Sequence, residues 1–435
     1  MAQPVKFPIL HVALDLLNLH RALQIAQEAA EGGADWIEAG TPLIKSEGME
    51  ALRMLKKTIP GKRIVADMKT LDVGAFEVEM AAKAGASVAI IMGISDDDTV
   101  RESVRAGKKY GCEIMVDLLG CADKPRRARE LEALGVDYHC VHVGIDEQMA
   151  GGTPFETVRK VSLASSLPVA AAGGINSETA AEAVRSGASI VIVGGAITKA
   201  PDVAGATRQI KKALLTRKVI KSGLYKKYDM SNVLQALLKV SSSNVSDALH
   251  RKGAMSELHC IVPRGTRMAG PAVTVRTADG DWAKPVEAID VAGKGDIIVI
   301  DAGEGHAAVW GELASWSCKV KGIAGVIIDG GIRDVQDILG LGFPAFATHI
   351  VPNAGEPKGL GEIGAEITCA GQTVRPGDWV VGDESGVTVI PKERLAEVAN
   401  RSLDVLEKEN RVREEIRRGS TLSKVMELYK WEKVR

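Results

Sequence analysis

Residues 62–93 read KRIVADMKTLDVGAFEVEMAAKAGASVAIIMG and contain one complete repeat of the pattern that decides the fold. The β-branched run KRIVADMK (62–69) leads into an alanine-rich amphipathic stretch and then into a second apolar run, ASVAIIMG (86–93). This alternation is typical of βα units that surround a parallel sheet.

Similar apolar runs extend from this stretch in both directions, from Val5 to about Lys199. With the two already quoted there are eight, the others being ILHVALDL (9–16), ADWIEAG (34–40), CEIMVDLL (112–119), DYHCVHVG (137–144), LPVAAAGG (167–174) and SIVIVGG (189–195). Eight strands with helices in roughly 200 residues match the smaller (β/α)8 barrels, whereas an open doubly wound sheet normally has fewer strands. We therefore predict an α/β chain that begins with a TIM barrel.

The pattern changes after the barrel, and at 435 residues a second domain is expected. The stretch TRKVIKSGLYKKYDMS (216–231) lacks apolar periodicity and is rich in lysine, which predicts a linker over residues 216–232. We expect the barrel over residues 1–215 and a mixed α/β domain over 233–435. The second domain should begin with a serine-capped helix in SSSNVSDAL and end with a charged helix from Glu393 to about Arg418.

The composition argues against several classes of protein. The 55 basic and 56 acidic residues nearly balance, so we expect no binding to nucleic acid or membranes through bulk charge. No apolar run approaches the roughly 18 to 20 residues that span a bilayer, and the amino terminus lacks a secretory signal pattern, which together predict a cytoplasmic protein. Six cysteines without a CxxC pair predict reduced thiols.

Polar side chains interrupt the apolar runs towards their C-terminal ends, where TIM barrels place their active sites. These residues are Asp15, Glu38, Asp67, Lys69, Asp117 and His142. Charged groups at the ends of buried strands are costly unless they are paired, solvated or bound to a metal, so one shared mouth explains the whole set. The alternative for Asp67, Lys69 and Asp72 is a surface charge cluster.

Two glycine pairs, Gly173-Gly174 and Gly194-Gly195, end the seventh and eighth runs. Backbone N–H groups at this point of a barrel often hold a phosphate, although glycines also simply make tight turns. Carboxylates for a hard cation, a lysine, a histidine and a phosphate cradle suit proton abstraction beside a sugar-phosphate carbonyl. The set predicts enediolate chemistry.

Residues 5 to about 212 resemble the 3-hexulose-6-phosphate synthases of the orotidine-phosphate decarboxylase suprafamily. The resemblance is carried by ALDLLNLHRALQIA, ADWIEAGTPLIKSEG, VADMKTLDVGAFE, VHVGIDEQ, AAGGIN and IVIVGGAI. It implies a reversible aldol condensation of formaldehyde with ribulose 5-phosphate, a step of the ribulose monophosphate pathway. It also implies Mg²⁺ or Mn²⁺ as cofactor and a homodimer in which Asp72 reaches into the partner's site. The physiological direction of the reaction stays open.

The same resemblance implies roles for individual residues. Glu38 and Asp67 would hold the metal, and Lys69 would stabilise the enediolate. Asp15 would orient substrate hydroxyls, and His142 would move the proton at C1 of the sugar.

The alternative activity is that of 3-keto-L-gulonate-6-phosphate decarboxylase, a related enzyme with Glu, Arg and Thr at three specificity positions. This chain has Asp117, Ile145 and Ala172 there. The loss of the arginine and the aliphatic Ile145 favour a small neutral aldehyde and hence the synthase. Those decarboxylases also carry an arginine at the position of Gly195, so backbone donors, with a lysine elsewhere as a further candidate, would bind the phosphate here.

Residues 240 to about 391 resemble the regulators of ribonuclease activity and the 4-hydroxy-4-methyl-2-oxoglutarate aldolases, through VSDAL, GPAVTVRT, GDIIVIDAG, WGELAS, GVIIDGGIRDV and GDWVVGDESGVTVIP. The resemblance implies that Arg333 binds a pyruvyl carboxylate and Asp334 a divalent metal, with Glu312 at a position where the aldolases have Asp. His306 is a further candidate for the same cleft.

Two possibilities stay open for this second domain. It is either a pyruvate aldolase or oxaloacetate-type decarboxylase, or a non-catalytic binding and assembly module in which Asp334 merely caps a helix beside a surface arginine. Because relatives of this domain form trimers, a barrel dimer combined with a trimeric second domain would require at least six chains.

Overall fold

The computed structural model describes residues 8–303 and 305–426. Contacts divide the chain into two compact units, the first formed by Met1–Lys227 with Glu407–Arg435 and the second by Tyr228–Leu406. Residues 407–426 group with the first unit, and the predicted domain limits at residues 215 and 233 stay predictions. The predicted linker over residues 216–232 stays a prediction, and residues 1–7 and 427–435 of the predicted domains lie outside the described residues.

The first unit contains a closed barrel whose eight described strands are parallel and pair in chain order. The strands are β1 (Ile9–Leu14), β2 (Trp36–Ala39), β3 (Arg63–Thr70), β4 (Val88–Met92), β5 (Glu113–Asp117), β6 (Tyr138–His142), β7 (Val169–Ala172) and β8 (Ile190–Val193). The predicted TIM barrel is confirmed, with one strand in each apolar run. The runs are nearly continuously apolar because each strand is buried on both faces.

Helices surround this barrel and bury their apolar sides against it. They are α1 (Leu19–Glu31), α2 (Thr41–Glu47), α3 (Glu50–Thr58), α4 (Gly74–Lys83), α5 (Asp97–Tyr110), α6 (Lys124–Ala133), α7 (Ile145–Met149), α8 (Phe155–Ala164), α9 (Ala180–Arg185), α10 (Gly195–Thr198) and α11 (Val203–Thr216). In α1 the buried residues Ala22, Ile25, Ala26 and Ala29 recur at helical spacing. The alanines let the helix approach the sheet closely.

The second unit is built on a mixed sheet. Its strands are β9 (His259–Ile261), β10 (Met268–Arg276), β11 (Ile297–Asp301), β12 (Ala308–Trp310), β13 (Gly325–Ile332), β14 (Ala345–Ile350), β15 (Glu362–Ile363), β16 (Ile367–Cys369), β17 (Gln372–Val374), β18 (Trp379–Asp383) and β19 (Gly386–Ile390). The main order is β19-β18-β10-β11-β13-β14-β9, with β12 on β13 and β15 on β10. The strands β10, β11, β13 and β14 are parallel neighbours, which confirms the predicted mixed α/β fold.

The remaining helices are α12 (Val233–Leu237), α13 (Ser242–Ala248), α14 (Ala283–Val291), α15 (Glu312–Lys321), α16 (Val335–Leu341), α17 (Leu395–Arg417) and α18 (Leu422–Val425), with a 3-10 helix at Lys392–Arg394. The predicted serine cap of α13 is confirmed, since Ser241 and Asn244 form a capping box. The predicted charged helix is α17, whose C-terminal part belongs to the first unit.

Within the described residues, no helix is both long enough and apolar enough to pass through a bilayer. The six cysteines are unpaired in the structure, and all but Cys260 are buried.

Candidate active site

A cavity of about 350 Å³ opens at the C-terminal ends of the barrel strands. The structure brings to it the candidate residues Asp15, Glu38, Asp67, Lys69, Asp117, His142, Gly173, Gly174, Gly194 and Gly195. They come from strands far apart in the chain, and they meet because a closed parallel barrel collects the ends of all its strands at one mouth. Asp67 and Lys69 therefore do not form a surface charge cluster.

The end of β3 is distorted where it carries two of these residues. Its pairing with β4 shifts register between Asp67 and Thr70, and Lys69 has a φ of 51°. A non-glycine residue in the left-handed region is strained and persists only where its surroundings hold it. The distortion lies at the point where both Asp67 and Lys69 enter the cavity, as bulges next to active sites often do.

Asp117 is the centre of a chain of polar contacts. Its Oδ2 accepts a hydrogen bond from Lys69 Nζ at 2.5 Å and lies 2.9 Å from His142 Nδ1. Its Oδ1 accepts from the backbone N–H of Leu119 at 2.9 Å, which fixes the carboxylate plane. Lys69 Nζ also lies 3.3 Å from Asp67 Oδ2, so a single lysine bridges two carboxylates.

These contacts set the protonation of the group. Burial acts to raise the pKa of Asp117, but the hydrogen bond from His142 and the charge of Lys69 outweigh it and lower this pKa to about 2. Burial acts to lower the pKa of His142, and the hydrogen bond and charge of Asp117 raise it above the ordinary value. Burial also opposes the charge of Lys69, yet Asp67 and Asp117 raise its pKa well above the usual range. Asp117 and Lys69 are therefore ionised at neutral pH.

Glu38 and Asp67 form the part of the cavity best suited to a cation. Glu38 Oε2 and Asp67 Oδ1 are buried and have no hydrogen-bond partner, and burial together with the charges of Asp67 and Asp15 raises the pKa of Glu38. Thr41 Oγ1 donates to Asp67 Oδ2 at 2.9 Å and orients that carboxylate. Behind Glu38, the buried His11 places Nε2 at 2.8 Å from Oε2 without hydrogen-bond geometry.

This donor set fits a hard divalent cation. Mg²⁺ commonly takes one or two carboxylates from a protein and completes its shell with water and substrate oxygens. The two unpartnered carboxylate oxygens are donors of that kind, although no group of three or more acidic, His or Cys side chains forms a ready-made site within residues 8–303 and 305–426.

Asp15 follows β1 and lies between Gly40, which follows β2, and Gly194, which follows β8. It keeps accessible surface in the cavity, but many protein atoms surround it, and this loss of bulk water, with the charge of Asp67, raises its pKa. A Cβ on Gly40 would lie 2.2 Å from Asp15 Oδ1, so Gly40 must be a glycine for Asp15 to enter the cavity.

The two glycine pairs differ in structure. Gly173 and Gly174 have φ values of 111° and 68°, so this turn requires glycine, and both residues also line the cavity. Gly194 and Gly195 lie outside the left-handed region. A Cβ on Gly195 would instead lie 2.4 Å from Cε2 of Tyr225, whose ring packs directly on this glycine.

Asp72 is the candidate residue that the structure does not bring to the cavity of its own chain. It is exposed, and its Oδ1 accepts the backbone N–H of Val73 at 2.6 Å. Leu71, Val73 and Phe76 are also exposed, Phe76 to 64%. Three exposed apolar side chains therefore lie close to Asp72 in the sequence.

A second cavity, of about 500 Å³, lies within the second unit and is lined by Trp282, Trp310, Glu312, Arg333 and Asp334 among others. Arg333 Nε lies 3.4 Å from Asp334 Oδ2. Asp334 precedes α16 with a φ of 59° but makes no capping hydrogen bond to that helix. Its Oδ2 instead accepts the N–H of Glu312 at 3.2 Å, so the three candidate residues are neighbours.

His306 is not among the residues that line this second cavity. It is exposed, and its ring centroid lies 5.0 Å from that of His349. The expectation that His306 shares the cleft of Arg333 therefore gains no support.

Comparison with known proteins agrees with this architecture. Residues 8–210 match the model of the orotidine 5′-phosphate decarboxylase/HUMPS family. A 3-hexulose-6-phosphate synthase of Bacillus subtilis is 37% identical over 207 residues, which are 47% of this chain and 98% of the relative. The chain belongs to the orotidine 5′-phosphate decarboxylase/HUMPS family. Residues 242–389 match the RraA-like (Aldolase/RraA) model, so the chain is a fusion of two families.

Solved structures with similar chains include members of the same family. A 3-hexulose-6-phosphate synthase from Salmonella typhimurium is 37% identical, with a TM-score of 0.47, and covers 48% of this chain and 99% of its own. A 3-keto-L-gulonate-6-phosphate decarboxylase from Vibrio cholerae is 28% identical, with a TM-score of 0.43 and coverage of 48% and 99%. The resemblance to the synthases is confirmed at the level of the family, and the barrel is a lyase-type enzyme domain.

Several side chains of this family member's cavity were not predicted from the sequence. Thr41 follows β2 in the quoted motif TPLIKSEG, and its position after a strand was the available signal. Cys140 and Gln148 also line the cavity. Tyr225 lies in the lysine-rich stretch after the barrel, where no local signal marked it. Contacts across the fold place these residues, and periodicity along the chain does not reveal such contacts.

Proposed function

We propose that the barrel condenses formaldehyde with D-ribulose 5-phosphate to 3-hexulose 6-phosphate, reversibly and with Mg²⁺ or Mn²⁺ as cofactor. The observation that carries the proposal is the Lys69–Asp117–His142 chain beside the unpartnered oxygens of Glu38 and Asp67. Proton removal next to a ketone requires a base and positive charge near the ketone oxygen. His142 is the base, Lys69 is a positive charge, and Glu38 and Asp67 offer oxygen ligands to a metal ion.

Each residue of the site has a separate role in this reaction. A divalent cation held by Glu38 and Asp67 would supply charge stabilisation to the oxygens of the enediolate. Lys69, held protonated by its two carboxylates, would add a second positive charge close to the same oxygens. Because Nδ1 of His142 donates to Asp117, Nε2 is the nitrogen that can take the proton from C1 of the sugar.

The bond-forming step then follows. The C1 carbon that has lost its proton attacks the carbonyl carbon of formaldehyde, a C–C bond forms, and the formaldehyde oxygen takes up a proton. Asp15, beside the glycine turns, would orient the substrate hydroxyls. Ile145 and Ala172 line the cavity with aliphatic surface, which suits a small neutral aldehyde. The decarboxylation reaction would instead be favoured by a cationic side chain at this position.

The test is formaldehyde consumption with ribulose 5-phosphate and Mg²⁺, for the wild type and for Asp67→Ala. A parallel reaction supplies 3-keto-L-gulonate 6-phosphate and measures release of CO₂. Condensation that is lost in Asp67→Ala supports the proposal. Release of CO₂ without condensation assigns the barrel to the decarboxylase.

For the second unit we propose a metal-dependent pyruvate aldolase or oxaloacetate decarboxylase site at Arg333, Asp334 and Glu312. The support is that Arg333, Asp334 and Glu312 line one cavity, where Asp334 Oδ2 accepts the N–H of Glu312 at the start of α15. Arg333 presents a planar fork to a carboxylate, and Asp334 offers a hard oxygen donor. Oxaloacetate decarboxylation by the wild type that disappears in Asp334→Ala supports this proposal. If the wild type and Asp334→Ala both decarboxylate oxaloacetate no faster than the reaction without protein, the second unit is a binding and assembly module.

We further propose a cytoplasmic homo-oligomer in which barrels pair. Two observations support this proposal. Asp72 lies outside the cavity of its own chain, and the residues next to it in the sequence expose apolar side chains. In a paired barrel Asp72 would complete the partner's site. Light scattering tests the assembly, including the expected minimum of six chains if the second units form trimers.

A further inference from the structure

The barrel cavity has a charge imbalance that bears on how it binds a phosphate. Asp15, Glu38, Asp67 and Asp117 line it, and the lysine among the lining residues, Lys69, is held by two of these carboxylates. A phosphate monoester brings up to two further negative charges at neutral pH. If the substrate is the sugar phosphate of the proposed function, on which this inference rests, the glycine end of the cavity needs positive charge.

Tyr225 lies at that glycine end. It is buried, it lines the cavity, and a Cβ on Gly195 would be 2.4 Å from its Cε2 and 2.9 Å from its Cζ. The ring thus occupies the space into which any side chain at position 195 would extend. The carbon that bears the hydroxyl is among the atoms closest to the glycine.

Two lysines pack on the same ring. Lys199 Nζ lies 5.2 Å and Lys227 Nζ 4.4 Å from the ring centroid of Tyr225. Contacts of this kind hold an ammonium group over an aromatic face while its charge continues to act on its surroundings. The charge of Lys199 acts on Asp15, which lies beside Gly194. Both lysines are therefore grouped around the ring of Tyr225, which packs on Gly195.

The backbone of Tyr225 is held in a strained conformation. Its φ is 53°, in the left-handed region that a tyrosine rarely adopts. Its N–H donates to Glu407 Oε1 at 2.5 Å, and its carbonyl accepts from Asn176 Nδ2 at 3.1 Å. Strain of this kind persists only where the surroundings hold the residue, and it clusters at active sites and ligand-binding positions.

The segment that carries Tyr225 is tied to the loop after β7. Ser177 Oγ donates to the carbonyl of Ile220 at 2.8 Å, and Glu178 Oε1 accepts the N–H of Ser222 at 2.8 Å. This loop follows directly on Gly173 and Gly174. The match to the barrel family ends at residue 210, so the segment 220–227 lies outside the matched barrel.

We propose that residues 220–227 complete the phosphate end of the barrel site. Tyr225 closes the cavity over Gly195 and donates its hydroxyl to a phosphate oxygen, and Lys227 with Lys199 supplies the positive charge. The chain beyond the barrel thus contributes to substrate binding, and Glu407 holds Tyr225 in place for it.

The test uses the full-length protein and the variants Lys227→Gln, Tyr225→Phe and Tyr225→Ala. Lys218→Gln is the matched control, because Lys218 is an exposed lysine that lies just before this segment. Binding of inorganic phosphate is measured by calorimetry without turnover, and KM for ribulose 5-phosphate is measured separately from kcat. We expect Lys227→Gln to weaken phosphate binding about tenfold and to raise this KM similarly, with kcat changed less than twofold.

Tyr225→Phe should lose part of the phosphate affinity because the ring remains and the hydroxyl is lost, and Tyr225→Ala should lose more. Phosphate affinity equal to that of Lys218→Gln in both Lys227→Gln and Tyr225→Phe would overturn the proposal. If the wild type condenses no formaldehyde but phosphate affinity still falls in these variants, the proposed function fails while the phosphate site stands.

Discussion

His142 Nδ1 lies 2.9 Å from Asp117 Oδ2, on a carboxylate that also accepts the backbone N–H of Leu119. The third partner of Asp117 is Lys69, so this carboxylate orients both the proposed base and the proposed cation. Because orientation and protonation depend on one residue, changes to Asp117 should alter the pH dependence as well as the rate.

Replacement of Asp117 by Asn should lower kcat by about 10² to 10⁴. Asp117 raises the pKa of His142, and His142 must be neutral to take a proton, so activity falls on the acidic side as His142 becomes protonated. In Asp117→Asn that pKa falls, and the acidic limb of the kcat/KM profile should move to lower pH. If the acidic limb of Asp117→Asn stays at the wild-type pH, a group other than His142 is the base. The residual activity of His142→Gln should show no such acidic limb.

Replacement of Glu38 by Gln should make the metal-free protein more stable. The folded-state pKa of Glu38 is raised, so the ionised carboxylate costs stability at pH values above its unfolded pKa. Removing that charge should raise the free energy of unfolding by about 1 kcal/mol or more and the Tm of the barrel unit by about 2 to 4 °C. The additional increase in Tm that MgCl₂ gives the wild type should be absent in Glu38→Gln. Thermal unfolding with and without MgCl₂ measures both effects.

The control for this change is Glu50→Gln, since Glu50 is exposed. It should leave both the metal-free Tm and the Mg²⁺-dependent rise as in the wild type. A metal-free Tm that falls in Glu38→Gln would contradict the idea that an uncompensated charge is buried there.

Introduction of arginine at Ile145 should move the activity towards decarboxylation. Ile145 lines the cavity and is 50% exposed, so a guanidinium can be placed there without burial in the core. With Ala172→Thr added, we expect condensation to fall about tenfold or more and release of CO₂ from 3-keto-L-gulonate 6-phosphate to rise. Ile94→Arg, at a residue with the same 50% exposure but outside the cavity, should change neither rate.

Mixing two inactive variants tests whether barrels share their sites. Asp72→Ala and Asp15→Ala should each be inactive, but co-refolded in equal amounts they should regain about one quarter of the wild-type activity, because half of the dimers are mixed and each has one intact site. Recovery is expected only if Asp72 acts in the partner's site. Differently tagged chains show whether mixed dimers have formed. If they have formed and activity does not recover, Asp72 either acts in the site of its own chain or has no role in the reaction.

The barrel and much of its site could be predicted from the sequence, because the signals are local. A strand buried on both faces must be apolar along its length, so a polar residue at its C-terminal end, such as Asp117 or His142, is visible without a structure. Parallel strands in a barrel bring those ends together, which made Asp15, Glu38 and Asp67 candidates before any distance was known.

The tertiary structure alone decided how those groups meet. No spacing in the chain indicates that Lys69 bridges Asp67 and Asp117, or that Glu38 keeps an oxygen without a partner. The ring of Tyr225 on Gly195 depends on a segment that lacks periodicity and is held by Glu407, far along the chain. Periodicity reports which face of a strand or helix is buried, whereas such contacts depend on how distant elements pack, and only the folded chain determines that.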